Sequence, residues 1–488
     1  MFAFKTLQGA SWLVFSRAMG RLIDFFTLLV LARILTPSDF GLVALAMSLV
    51  VVVDTILEIP VTQALIRLDR ITQDHLDTGF TLGMLRSGVI AVIIIAALWP
   101  FALINHKPEL MPLILFLSLG PVIRGFYSPA MVNFSRALGF RQTFLMEFGG
   151  KIVAFTAAIT TVLAGGSYWA LAANFVGASL ASTMISYWLA PYRPRLSLGQ
   201  LQDFAGFIGW FTAAQLVSAL NWQFDRLLIG FTSDQVSLGR YAVASDLATS
   251  PTQSLIGPAL QSVMAAFSLI ASDHDRMKSA FLKTARFAML ISLPACVGIS
   301  LTSDLTTTIL LGEKWREAAP YLHILALSVI PIPYFQVLYS VSLATSKPYV
   351  VFWLNIIDLS FRLVLLSIGL YLYAGLGVSY ARVVLSAIMT VFYLYYARKI
   401  LGIGMVAQLQ NIWKIAVATL VMTISVAILR NHISSEHFHP VIELAITAAT
   451  GASIYIFVLY ILGTRVAIGS SRLEIYDGYN IVRFIKRT

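Results

Sequence analysis

Ionised side chains recur inside stretches that are otherwise apolar, and their types and spacing suggest chemistry. A charge at the centre of a bilayer costs at least about 2.5 kcal/mol, so such a residue faces a wet cavity or a partner. Arg17, Arg21 and Asp24 follow one another at intervals of four and three, which places them on one helical face. Arg86, Arg124, Lys151, Arg286, Arg362 and Arg382 stand within or at the ends of further apolar runs. Asp54, Glu58, Glu147, Asp246, Asp358 and Glu443 are the acids among them. Glu147 and Lys151 are an acid and a base four apart, and Asp358 and Arg362 repeat that arrangement 211 residues later. Two readings stand side by side. The pairs neutralise themselves so that each helix can insert, or the bases line a central cavity and hold phosphate or acidic sugar. Arginine would do so by bidentate contact and lysine as a point charge. The expected substrate-contact set is therefore Arg17, Arg21, Asp24, Arg86, Arg124, Lys151, Arg286, Arg362 and Arg382.

Asp54 and Glu58 also share a helical face, but 198 residues on their places are taken by Thr252 and Ile256. Together with Glu147 and Asp358 they are the candidates for a coupling cation, sodium or proton. The alternative is that they balance the arginine excess. Cys296 is the single cysteine, so no disulfide framework or paired-cysteine metal motif exists. His432, His437 and His439 share one short loop, which is read as an incidental cluster with no metal. Gly-rich phosphate loops and zinc-helix motifs are absent, and the longest external loop, 303–318, is too short for the catalytic loops of membrane glycan polymerases. An enzyme is not expected, and no cofactor is.

The elements that hold these charges must be membrane helices. Of 488 residues 58% are hydrophobic and 12% charged, where a soluble domain carries roughly a quarter. The apolar runs lack the strict alternation of barrel strands, which leaves helices as the only spanning structure. Runs of sufficient length fall at 11–34, 41–62, 80–104, 110–131, 142–163, 167–190, 204–231, 241–270, 281–303, 318–345, 349–373, 375–397, 412–430 and 441–463, an expectation of fourteen spans. The net charge of +11 is dispersed, so nucleic acid is excluded as a partner. Placing both termini in the cytoplasm puts Arg67, Arg70, Arg193, Arg195, Arg276, Lys278, Arg398, Lys399, Arg483, Lys486 and Arg487 on the inner side. The N-terminus is read as retained. The basic tail 464–488 is cytoplasmic, either a helix on the inner leaflet or solvated.

A shift of 198 superposes Trp12 on Trp210, Leu29 on Leu227, Gly41 on Gly239, Ala44 on Ala242, Pro60 on Pro258 and Gln63 on Gln261. A shift of 210 superposes Ser118 on Ser328, Pro121 on Pro331 and Gly165 on Gly375. Six spans separate the copies, so the two enter the membrane in the same sense. The expected architecture is all-α and integral to the membrane: a six-helix lobe over 1–200, a second over 201–400, two trailing helices over 401–463, and the tail. Parallel repeats of this kind place a substrate path between halves that rock to alternate access.

LARILTPSDFGLVALA (31–46), HLDTGFTL (75–82) and SYWALAANFVG (167–177) resemble the polysaccharide-transport flippases of the multidrug/oligosaccharidyl-lipid/polysaccharide exporter superfamily. The likeness is nearest to bacterial exopolysaccharide exporters of the colanic acid and succinoglycan kind. The resemblance implies an inner-membrane carrier of undecaprenyl-pyrophosphate-linked oligosaccharide, with membrane lipids, a polysaccharide polymerase and a chain-length regulator as partners. The motif decays to TSDQVSLGRYAVA (232–244) in the second lobe. Tyr168, Trp169, Tyr334 and Phe335 offer faces for sugar stacking, or alternatively anchor and pack. A cation-coupled drug exporter, a membrane scaffold and a membrane glycosyltransferase are the competing readings.

Overall fold

A computed structural model describes residues 19–59, 61–68, 70–136, 140–252, 263, 266–345, 347, 349–432, 439–469, 472–477 and 480–483. Nine helices among the described residues are long and apolar enough to cross a bilayer, and a shorter apolar helix spans Leu110–Arg124. The helix Tyr349–Leu401 has 53 residues, about 80 Å at 1.5 Å per residue and far more than one crossing needs. It breaks at Tyr373 (φ −141°, ψ 27°) and Ala374 (φ 50°, ψ −139°), so the one run makes two crossings. The expected span 318–345 is likewise divided, into Ala319–Ser328 and Ile332–Ala344. Pro331 and Pro333 sit at the second helix's start, where a missing N–H costs nothing. The expected span 11–34 is described from residue 19 only, and residues 253–262 of the span 241–270 lie outside the described set.

The chain forms two compact units, Met1–Val243 with Asn355–Val378, and Ala244–Leu354 with Ser379–Thr488. In the first unit, side-chain contacts sort the turns onto two opposite faces. On one face Ser167 Oγ donates to Asp39 Oδ1 at 2.7 Å and Ser38 Oγ to Gln235 Oε1 at 3.0 Å. Lys107 lies near Asp234 on the same side: burial lowers the lysine's pKa and Asp234 and Glu109 work against that. Turns 35–36, 105–109, 164–168 and 233–234 thus share this first face. On the other, Tyr192 donates to the buried Asp77 at 2.6 Å, Ser197 N–H donates to Thr81 Oγ1 at 2.9 Å, and Ser128 Oγ donates to the Ala190 carbonyl at 2.8 Å. Leu65, Phe80, Val132, Tyr192 and Phe204 pack around that clasp. Successive long helices therefore run antiparallel, as membrane crossings must.

The start of helix Pro37–Ile56 shows how local sequence sets a turn. Thr36 accepts from Asp39 N–H at 3.3 Å while Asp39 Oδ2 accepts from Thr36 N–H at 2.8 Å, a capping box with Pro37 in the first turn. One turn further on, Gly41 meets Gly239 of helix Gln235–Pro251. A Cβ on Gly41 would lie 1.8 Å from the Gln235 carbonyl oxygen, and one on Gly239 would lie 1.8 Å from that of Pro37. These two glycines are partners under the 198-residue shift. Each touches the segment preceding the other, which is the reciprocal contact expected across a two-fold axis.

In the second unit, helix His274–Leu301 packs on Ala319–Ser328, Ile332–Ala344 and Met405–His432, and the last of these packs on Pro440–Ile461. Ala418, Met422, Val426, Tyr455 and Leu459 form a core with Leu290, Val297 and Leu301 packed against it. Polar clasps reinforce it. Tyr455 donates to the Leu290 carbonyl at 2.8 Å, Tyr334 donates to Gln408, and Gln408 Nε2 donates to the Ile403 carbonyl at 2.8 Å.

The tail corrects one expectation. It is not a surface helix: Thr464–Gly469, Arg472–Asp477 and Asn480–Arg483 form an antiparallel meander, with Val466 opposite Ile475 and Ile475 opposite Val482. Alternation in Arg465–Ile468 and Leu473–Tyr476, with an Asp-Gly turn signal at 477–478, is strand patterning. The all-α expectation holds for the helical body and fails here.

The glycine contact is testable. Gly41→Ala should lower the thermal unfolding midpoint of the purified protein in detergent, by an overpacking cost of about 1–3 kcal/mol or more. Gly88→Ala, whose Cβ would meet nothing within 4 Å, should leave it unchanged; equal midpoints for the two would refute the close approach.

Candidate functional site

Depth along the helices locates the charges. Asp24 lies ten residues before the first helix ends at residue 34, about 15 Å down. Lys151 stands about 18 Å from the end of Phe140–Leu163. The two sit at mid-depth in a hydrocarbon layer of about 30 Å, and they pair: Lys151 Nζ donates to Asp24 Oδ1. The pairing of Lys151 with Glu147, expected from their spacing, is replaced by this contact between helices. A Cβ on Gly20 would lie 3.1 Å from Lys151 Cε, so the bare glycine lets the lysine stem reach across.

Arg362 keeps its expected partner and gains another. Its guanidinium bonds Asp358 at 2.9 Å and Asp225 at 2.7 Å, and Tyr241 donates to the second Asp225 oxygen at 2.7 Å. Asp225 is on helix Leu201–Thr232 and Tyr241 on the next, so the cluster ties three helices of the first unit. Asp225 is buried, and Arg362 and Asp358 are half-buried. Asp225 and Tyr241 were not among the sequence candidates. The 198-residue shift lands Asp24 on Trp222, three positions short of Asp225 and on nearly the same helical face. An acid on the first helix of a repeat thus meets a base on its fifth in both copies, Asp24 with Lys151 and Asp225 with Arg362.

The third cluster sets one acid against two bases. Asp54 is held by Arg86 at 2.5 Å and by Arg124 at 2.7 Å, one guanidinium on each carboxylate oxygen. Arg86 also donates to the carbonyls of Asp54 and Leu57 at 2.8 Å. The group lies about 21–27 Å from the first-face ends of its helices, near the opposite face. Arg86 is 13% exposed and Arg124 45%, with the latter's guanidinium carbon 5.6 Å from the Phe175 ring centroid. Arg124 is therefore the accessible cation of a cluster with one positive charge in excess. Glu58 follows the end of that helix, half-buried.

The remaining candidates fall apart from these clusters. Arg17 lies outside the described residues, and Arg21 is exposed one turn from Asp24. Glu147 is exposed on its helix. Arg286, in the second unit, donates through Nε to the carbonyl and Oδ1 of Asn411 at 3.0 Å. Arg382 is half-buried and Asp246 exposed, both in the second unit. Glu443 is buried there, 3.8 Å from Arg430. Of the aromatic candidates, Tyr168 stacks on Trp169 with centroids 5.6 Å apart and Phe335 on Tyr393 at 5.0 Å. Tyr334 is buried edge-on to Phe281, a packing role.

Comparison with known proteins gives the family and the fold. A family model described as a polysaccharide biosynthesis protein matches residues 30–320. The chain is 25% identical over 482 residues to the teichuronic acid biosynthesis protein TuaB of Bacillus subtilis strain 168, covering 93% of this chain and 95% of that one. It is 22% identical over 418 residues to the lipopolysaccharide biosynthesis protein WzxC of Escherichia coli strain K12, 84% of each chain. Among solved structures, the lipid II flippase MurJ in an inward closed conformation matches with a TM-score of 0.75 at 14% identity, covering 93% of this chain and 98% of that one. A multidrug resistance MATE family transporter, inward-facing, matches with a TM-score of 0.61 at 15% identity, covering 80% and 98%. At these identities the structural likeness shows a shared fold.

Unequal burial around Asp54 gives a graded expectation. Asp54→Asn strips the half-buried Arg86 guanidinium of its counter-charge and should destabilise by up to about 3–5 kcal/mol, whereas Arg124→Gln at the exposed end should cost under about 1 kcal/mol. Denaturant unfolding in detergent measures both, and equal losses would contradict the geometry. For the mid-depth pair, exchanging the partners (Asp24→Lys with Lys151→Asp) should restore the stability that either change alone removes.

Proposed function

Since the chain belongs to the polysaccharide biosynthesis protein family, we propose that it is a flippase. It carries undecaprenyl-pyrophosphate-linked oligosaccharide repeat units from the cytoplasmic to the periplasmic leaflet of the bacterial inner membrane. In this reading fourteen spans form two six-helix lobes, 1–200 and 201–400, with two trailing helices and both termini in the cytoplasm. The lobes open alternately to either side. A membrane transporter of polysaccharide assembly, rather than an enzyme, also accords with its relatives: the Rhizobium meliloti protein ExoT is a succinoglycan biosynthesis transport protein.

One observation carries the reading: ionised residues at mid-depth that stay partly exposed. The Asp24 side chain stays 51% exposed although Lys151 pairs with it, and the open side of such a charge is stabilised by water. A wet, charged path is what a pyrophosphate with several sugars needs, while the polyprenyl tail stays in lipid. Arg124, accessible and in a cluster of excess positive charge, is the proposed first phosphate contact, with Lys151 and Arg362 further along. A cationic drug would be repelled by the same guanidinium, which disfavours a multidrug exporter. For coupling, Asp358 is a better host for a proton or sodium ion than Asp54, because Asp54 is already gripped by two guanidiniums. The polymerase and the chain-length regulator are the proposed partners.

Deleting the gene should make the lipid-linked repeat unit accumulate on the cytoplasmic leaflet and abolish extracellular polysaccharide; normal export with a gain of drug sensitivity would overturn the proposal. At matched expression, Arg124→Gln should slow translocation about tenfold or more, the worth of one charge-assisted hydrogen bond. Lys151→Gln and Arg362→Gln, singly and together, test the path beyond it: unaltered export in all of them would remove the cationic path.

A further inference from the structure

The second unit contains a cavity of about 410 Å³ that belongs to none of the charge clusters above. It opens where three turns meet: the start of helix His274–Leu301, the turn after Ile332–Ala344, and the end of Tyr349–Leu401. Its rim is polar, with Ser272, His274, Thr345 and Lys347, and its floor is apolar, with the buried Met277 and Leu401. Lys278 stands beside it: a Cβ on Gly402 would lie 3.8 Å from Lys278 Cε and 3.9 Å from His274 Nε2. Asp273 and Asp275, the acids adjacent in sequence, are exposed and paired with Arg276 at 3.8 Å and with Lys278 at 3.4 Å.

Two aromatic belts fix the level of this cavity. Tyr395 and Tyr396 come one turn before its wall, with Lys399 over the Tyr396 ring at 5.8 Å, and Arg398 and Lys399 are exposed just beyond. Tyr349 and Trp353 are exposed at the start of the next helix, two and six residues after Lys347. Tyrosine and tryptophan gather at the depth of lipid headgroups, and lysine stems reach out to the same level. Arg276, Lys278, Lys347, Arg398 and Lys399 all lie at this end of the unit, which by charge bias is the cytoplasmic end. An apolar floor beneath a cationic rim at headgroup depth suits an amphiphile whose phosphate faces the rim, and anionic lipids of the cytoplasmic leaflet are recognised in basic pockets of this kind.

We propose that this cavity binds the phosphate headgroup of an anionic phospholipid from the cytoplasmic leaflet, at a site separate from the transported substrate. Lys347 and Lys278 supply charge, His274 and Thr345 hydrogen-bonding groups, and the acyl chains follow the exposed face around Tyr349 and Trp353. The inference shares only its orientation with the flippase reading, and its test needs no transport.

Full-length protein in detergent should bind phosphatidylglycerol in preference to phosphatidylcholine, measured by native mass spectrometry of the purified chain. Each lysine at a membrane surface is worth about fivefold in affinity. Lys278→Gln with Lys347→Gln should therefore weaken phosphatidylglycerol about 25-fold, while Arg316→Gln on the opposite side of the unit changes nothing. Ala344→Phe, which fills the cavity without altering charge, should also expel the lipid. Equal binding of the two phospholipids would overturn the proposal, as would a double variant that keeps the preference. Displacement of phosphatidylglycerol by excess inorganic phosphate would assign the cavity to free phosphate and likewise overturn it.

Discussion

A charge inside a bilayer must be met by a counter-charge or by water, and in the first unit that requirement dictates which helices touch. Lys151 reaches Asp24, Arg362 gathers Asp225 and Asp358, and Arg86 with Arg124 closes on Asp54. None of these contacts is a decoration on a hydrophobic core, because lipid tails compete equally well for apolar surface and supply no drive for helices to associate. The partners that stay partly exposed, Asp24, Lys151 and Arg124, are the ones left to water.

The internal repeat explains both the likeness and the difference between the halves. Gly41 and Gly239 meet as equivalent residues, and each repeat joins its first helix to its fifth through one acid and one base. Elsewhere the copies diverge. The 210-residue shift that aligns Pro121 with Pro331 puts Tyr334 in the place of Arg124, and a shift of 200 puts Arg286 in that of Arg86. With Thr252 in place of Asp54, these two residues engage Gln408 and Asn411 of the trailing helix Met405–His432 instead. Where the first copy has a charged cluster, the second has a polar dock for the trailing helix.

Hydropathy was enough to show a chain built of membrane helices, nine of them long and apolar enough among the described residues, because the length of a span and the exclusion of bare backbone from lipid are properties of the chain and solvent alone. The break at Tyr373–Ala374 falls between the expected spans 349–373 and 375–397, since the Ala-Gly and Gly pattern there cannot sustain a helix against a turn. Of the two readings of the tail, the inner-leaflet helix gives way to a strand meander, because strand pairing is decided only when the segments meet in three dimensions.

Residue types, their one-face spacing and the 198-residue period were determined by the sequence, and from them followed the family likeness, the Asp358–Arg362 pair and the equivalence of Gly41 with Gly239. Partner choice was decided only in three dimensions. Lys151 had Glu147 one turn away and took Asp24, 127 residues off, and Arg362 recruited an aspartate that the repeat had shifted by nearly a turn. A sequence pattern specifies which face of a helix a charge occupies. Which neighbouring face it meets, and at what depth, depends on helix crossings that contacts as small as a missing Cβ permit.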